Sequence, residues 1–136
     1  MHSEEIEIRT GRDETVVDLT TQVAAFLRAH AGQDGLLHAW VPHATAGLVV
    51  METGAGSDDD LLTALRHLLP VDDRWSHRHG SPGHGRDHVL PALIAPSMSV
   101  PVLDGRPAWG TWQSLCLVDT NRDNPVRRVR LSFLAG

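Results

Sequence analysis

A single cysteine, Cys116, stands in the 136-residue chain, so no disulfide can form within it. Its neighbours in Ser114-Leu-Cys-Leu-Val118 are apolar and offer nothing that lowers a thiol pKa. The position reads as a small core residue. No apolar run approaches the roughly 20 residues that a membrane-spanning helix needs. The opening Met1-His-Ser-Glu-Glu-Ile6 is acidic and has no apolar signal segment. A cytoplasmic protein without a membrane partner is expected. Positive charge is also short: Lys and Arg total 12 against 17 Asp and Glu, a net charge of −5. Nucleic-acid binding leaves a clustered basic face. The only basic cluster here is Arg127, Arg128 and Arg130, set among Val126, Val129 and Leu131, which reads as a strand with a polar face. No nucleic-acid partner is expected. Repeats, linkers and low-complexity segments are absent.

What is present suits one globular domain over residues 1–136, large enough to bury a core without staples. Glu5-Ile-Glu-Ile-Arg9 alternates polar and apolar residues, as a half-buried strand does. Gly11-Arg-Asp13 reads as a turn. Asp18 or Thr20 is placed to cap a helix with the stripe Val23, Phe26 and Leu27, stopped near Gly32. Gly35 to Pro42 reads as a strand, and Pro42 leaves His43 where pairing ends. Ala46 to Met51 is a second apolar strand. Ser57 or Asp58 is placed to cap a helix carrying Leu61, Leu62, Leu65, Leu68 and Leu69, ended by Pro70. His88 to Ile94 is a short helix or extended segment broken by Pro91. Ser97 to Leu103 alternates as a strand, Asp104-Gly105 signals a hairpin turn, and Ala108 to Val118 is the expected partner strand. After a turn at Asn121–Pro125, Val126 to Leu134 closes the chain. The expected fold is α+β: a compact antiparallel β-sheet or sandwich with two main helices.

Chemistry concentrates elsewhere. His77, His79, His84 and His88 fall within Trp75-Ser-His-Arg-His-Gly-Ser-Pro-Gly-His-Gly-Arg-Asp-His88, a run too poor in apolar residues for a core strand. Loops on a rigid scaffold are where functional groups gather, and imidazole is both a ready metal ligand and an acid or base near pH 7. His43 offers a further ligand from a strand end. Zinc takes three or four such ligands and leaves one position open in a catalytic site, although imidazole suits copper, iron and nickel too. The competing reading is a solvated loop in which histidines cluster without a ligand. His2, His30, His38 and His67 read as surface or strand-face residues. Glu52 ends an apolar strand, where a carboxylate can serve as base or ligand, whereas Asp58 to Asp60 suit a helix N-terminus. Gly110 in a strand marks a bulge or a close approach. Trp109 and Trp112 read as core aromatics or a pocket wall. Arg106 is either part of a turn or a fork for a planar anion.

In order, His43-Ala-Thr-Ala-Gly-Leu48 with Glu52, Trp75-Ser-His77, His88, Val100-Pro-Val-Leu-Asp-Gly-Arg106, Gly110-Thr-Trp-Gln113 and a closing strand through Arg128 resemble the YjbQ-like family, sometimes labelled secondary thiamine-phosphate synthase. The resemblance spans residues 5 to 134. It implies a homotrimer and a metal-binding or catalytic cluster of His43, His77 and His88. Beside that cluster, Glu52 is expected to orient a ligand or water, and Arg106, Gly110, Thr111, Trp112 and Gln113 to bind a small phosphorylated substrate. The family label implies joining a pyrimidine pyrophosphate to a thiazole phosphate. The resulting expectation is an enzyme with a divalent metal, zinc foremost, performing such a transfer or metal-assisted phosphoester hydrolysis. The alternative is a non-catalytic trimeric binder of metal or phosphometabolite. Ala44 replaces the hydroxyl residue usual after the first histidine, Thr53 and Gly54 follow Glu52 in place of the usual Asn and nearby Asp, and His79 and His84 are not general family positions.

Overall fold

The computed structural model describes residues 1–136. Eight strands and three α-helices follow in the order β1 (His2–Arg9), β2 (Thr15–Asp18), α1 (Thr20–His30), β3 (Gly35–Trp40), β4 (Ala46–Met51), α2 (Ser57–Leu68), α3 (Leu90–Leu93), β5 (Ser97–Leu103), β6 (Arg106–Pro107), β7 (Ser114–Asp119) and β8 (Val126–Ala135), with a 3-10 turn over His84–His88 before α3. One antiparallel sheet has the order β1-β8-β3-β5-β6 and the other β2-β7-β4. No helix is long and apolar enough to cross a membrane. The α+β expectation and both main helices hold.

Sixteen buried apolar residues fill the space between the sheets and α1, among them Val23, Phe26 and Leu27 of α1, Leu48 and Leu117 of the small sheet, and Val129, Leu131 and Phe133 of β8. A second, smaller group, Leu65, Leu69, Leu90 and Val118, joins α2 and α3 to the other face of the small sheet. β7 is therefore covered on both faces. Its Leu115-Cys-Leu-Val118 is buried throughout, as continuous apolar runs in doubly covered strands are. Cys116 is a core residue there, and burial pushes its thiol up to about 12.

Local chemistry departs from expectation at several places. Leu19, not Asp18, occupies the N-cap position of α1, and Asp18 Oδ1 takes the Thr20 N–H at 2.8 Å from one residue earlier. Gly56, at φ 96°, precedes α2 without a capping side chain, so neither Ser57 nor Asp58 caps it. Asp58, Asp59 and Asp60 fall in its first turn, where the helix dipole favours them. Pro91 opens α3 instead of breaking a segment, since its missing N–H is unneeded in a first turn. Asp104 and Gly105, at φ 50° and 71°, make the expected tight turn, but the returning strand is only two residues long. Residues 108–113 form a loop, and β7 pairs with β2 and β4 in the other sheet. β2 was not anticipated. Val16 and Val17 pair with Val118 and Leu117, a register that its four residues alone cannot announce.

Candidate functional site

Pro70 ends α2, and the chain to α3 folds back on itself. Trp75 Nε1 donates to Pro70 O at 2.9 Å. Gly80 and Gly83 take the left-handed conformation, at φ 83° and 79°. At Gly85 two limbs of the loop meet: a Cβ there would lie 2.5 Å from both His77 O and Trp75 Cβ, so only glycine fits. This close approach brings the rings together. His77 lies 3.9 Å from His79 and 4.0 Å from His88 between ring centroids, and His84 lies 4.7 Å from His88. Ligand nitrogens of His77, His79 and His84 all fall within 4.8 Å of one another. Nε2 of His88 is 2.9 Å from Nε2 of His84. Nε2 of His77 is buried and has no hydrogen-bond partner.

Buried charge supports the loop from below. Arg86 is 3% exposed. It donates to Leu69 O at 3.1 Å and to Glu14, and its Nε lies 3.4 Å from Asp87 Oδ1. Burial would raise the Glu14 carboxyl, but the Arg86 and Arg66 guanidiniums outweigh it and hold it below the usual range. Asp87 is also 3% exposed and accepts the Thr120 hydroxyl at 2.7 Å. Burial pushes its carboxyl up, against that hydroxyl and Arg86. His77 and His88 are held below the ordinary imidazole value, first by desolvation and then by the charge of neighbouring rings, His79 and His84 for His77 and these with His77 for His88, which favours the neutral, ligating form.

His43 lies elsewhere. Its Nε2 accepts the Arg128 N–H at 2.9 Å, and Nδ1 faces Arg127 Nη1 at 3.4 Å. It makes none of the ring contacts that unite the other four. Within one chain the structure thus brings together His77 and His88, adds His79 and His84, and leaves out His43, whose nitrogens are engaged on β8. Arg127 is 1% exposed, not part of a polar surface. It grips both oxygens of Asp119, at 2.7 and 3.0 Å, and the Thr45 hydroxyl at 3.0 Å. Counting back by twos from Phe133 through Leu131 and Val129 reaches Arg127, so strand alternation carried that signal. From Asp119 a line of hydrogen bonds runs through Asn121 N and Oδ1 to Asp123, whose Oδ2 accepts Ser81 N and Oγ and lies 3.2 Å from His84 Nδ1. Glu52 is exposed just past β4 and has no hydrogen bond or ion pair.

Of the other expected binding residues, Arg106, Gly110 and Thr111 but not Trp112 or Gln113 border a separate cleft of about 660 Å³ between α1 and the β5–β6 turn. Trp109 and, unforeseen from sequence, Arg28 line it with them. Gly110 is not in a strand: its N–H donates to Gln113 Oε1 at 2.6 Å, closing the loop on itself. Trp109 packs against the core, while Trp112 is 75% exposed. Beside the histidines is a smaller cleft of about 330 Å³, lined by Asp72, Asp73, Trp75, His77, Ser81, His84 and Arg78.

Comparison with known proteins agrees with the motifs. The family model described as UPF0047 protein YjbQ-like matches residues 4–136. A UPF0047 protein of Mycobacterium tuberculosis is 57% identical over 136 residues, covering all of both chains. One from Methanocaldococcus jannaschii is 30% identical over 123 residues, 90% of this chain and 86% of the relative. The crystal structure of a hypothetical protein from Aeropyrum pernix K1 superposes with a TM-score of 0.89 at 31% identity, covering 100% of each chain. The chain belongs to the YjbQ-like UPF0047 family.

Proposed function

We propose that the loop histidines form a divalent-cation site, zinc the first candidate, in an enzyme acting on a small phosphorylated molecule. The observation that carries this reading is the buried, unpartnered Nε2 of His77 amid three other imidazoles. An orphaned buried polar atom is costly, and a cation among neutral nitrogens supplies the missing partner. His77, His79 and His84 are the ligands in this reading, since their nitrogens converge, and His88 is the acid or base beside them. Arg78, in the same cleft and without a carboxylate partner, is a free fork for a phosphate oxygen. A bound metal supplies charge neutralisation at a phosphoryl group, or a bound water of lowered pKa. The two reactions to screen are metal-assisted phosphoester hydrolysis and transfer resembling thiamine-phosphate synthesis.

His43, Glu52 and the Arg106 to Gln113 loop enter the same reading through a homotrimer, in which neighbouring copies bring these separate surfaces to the cluster. Light scattering checks the assembly. The site itself is tested by elemental analysis of tag-free protein beside a His77→Ala/His79→Ala/His84→Ala variant. Near-stoichiometric metal in the wild type alone is expected. Absence of metal in both, even after incubation with zinc, would sink the proposal. Metal without turnover of any phosphoester or pyrophosphate would leave a binding protein.

A further inference from the structure

The geometry points to Asp87 as the positioning residue of this cluster: its carboxylate holds the proton of His84 on Nδ1, so that Nε2 presents its lone pair to the other histidines. The inference deepens the metal-site reading and rests on it for its consequence, though not for its geometry. His84 is 7% exposed, and its Nδ1 is sealed from water and aligned for no hydrogen bond, so only the charge of nearby groups acts on it. Only two acceptors are near that nitrogen, Asp87 Oδ2 at 3.3 Å and Asp123 Oδ2 at 3.2 Å. Asp123 Oδ2 already accepts two hydrogens from Ser81 and lies on a residue open to solvent. Asp87 Oδ2 has no other partner, and its sister oxygen is fixed by the Thr120 hydroxyl and neighboured by the Arg86 guanidinium. The carboxylate is thus anchored on one side and free to accept on the other.

A neutral imidazole carries one proton. With it on Nδ1, Nε2 of His84 is an acceptor, and the nitrogen 2.9 Å away, Nε2 of His88, must donate to it. In the metal-free protein Thr120 Oγ1–H then donates to Asp87 Oδ1 and His88 Nε2–H to His84 Nε2, while the charge of the Asp87 carboxylate, 3.3 Å away, holds the proton on His84 Nδ1. A ligating histidine whose second nitrogen donates to a carboxylate is oriented and made more basic, and loss of such a partner weakens metal binding roughly 10–100-fold. Nothing in the residue spacing of the loop distinguishes Asp87 from the half-buried Asp72 or the exposed Asp73.

Asp87→Asn makes the inference testable, because the replacement is nearly isosteric. Thr120 donates, so it selects the amide oxygen, and the amide NH2 then faces His84 Nδ1. That nitrogen must accept, and the proton moves to Nε2, where it blocks ligation. The experiment is a long-range 1H–15N spectrum of the histidine rings in metal-free protein, followed by zinc titration. Wild type is expected to carry His84 as the Nδ1–H form, Asp87→Asn as the Nε2–H form with zinc affinity lower by roughly 10–100-fold, and Asp123→Asn as the wild-type form. His84 as Nε2–H in the wild type would overturn the inference whether or not any variant folds. So would an unchanged tautomer in Asp87→Asn, or a change in Asp123→Asn. Failure of wild type to take up zinc would count against the metal site alone, since the tautomer is read without metal.

Discussion

Between the two sheets, sixteen apolar side chains pack against one another and α1, whereas the region from α2 to the start of β8 buries His84, Arg86, Asp87, Asp119, Thr120, Asn121 and Arg127. The first region gains stability by removing apolar area from water, a non-directional effect that tolerates exchanges of similar volume. The second gains little net stability from its ion pairs, because desolvation offsets their attraction. What it gains is direction. Each guanidinium and carboxylate has one arrangement that satisfies it, and the histidine loop inherits that arrangement through Arg86, Asp87 and Asp123. A cluster of short polar side chains on glycine-rich chain needs that kind of support, since the loop itself holds few apolar residues.

The comparison is most severely tested at Arg127. Arg127→Ala leaves Asp119 charged and without its guanidinium partner, and unpairing a buried ion costs about 3–5 kcal/mol. Urea unfolding reads that loss. A double variant, Arg127→Met with Asp119→Leu, should lie closer to wild type than Arg127→Ala does. A single variant within 1 kcal/mol of wild type would mean that the buried pair is not structural. On the apolar side, Leu117→Ala removes a fully buried side chain between the sheets, for an expected loss of about 2–5 kcal/mol. That variant should retain the zinc binding of the wild type, and losing it would erase the division between the two regions.

The sequence made this division only partly legible. Alternation and apolar runs are local, so β4 and β5 fall at their expected bounds and the leucine spacing of α2 is a helix. The histidine density was visible as composition, and it marked the loop in which four of the rings gather. The identity of the partners was not. Which of His43, His79 and His84 joins His77 and His88 depends on where β4, β7 and β8 run relative to the loop. His43 reads like a ligand by type and position, yet strand register spends both its nitrogens on Arg127 and Arg128. Arg86 and Arg127 look like surface cations because charged residues usually are. Their burial is set by Glu14 and Asp119, 72 and 8 residues away in sequence.

A smaller effect is expected at Gly85. The alanine Cβ meets backbone and a Trp75 atom at 2.5 Å, and overpacking of this kind costs about 1–3 kcal/mol. The strain falls where the two limbs of the loop touch. Gly85→Ala should therefore weaken zinc uptake far more than it lowers resistance to urea. The reverse pattern, an unfolded protein or intact uptake, would show that the limbs are not held together there.

The smallest effect distinguishes the two histidine environments by pH. Burial, then the charge of Arg127, holds His43 below the ordinary value of 6.5. In the window between that lowered value and 6.5 the unfolded chain binds the proton more readily than the folded one, so stability rises with pH across it. The contribution is complete above about 6.5 and is lost as pH falls through the window. Protonation sets a second cation against Arg127 and removes the acceptor of the Arg128 N–H. His43→Asn should flatten the acid limb of a metal-free stability profile and leave zinc uptake by His77, His79 and His84 unchanged. An acid limb as steep in His43→Asn as in wild type would assign the whole slope to His77 and His88, which are lowered in the same direction. Loss of zinc in that variant would instead bring His43 back to the metal, by way of a neighbouring copy of the chain.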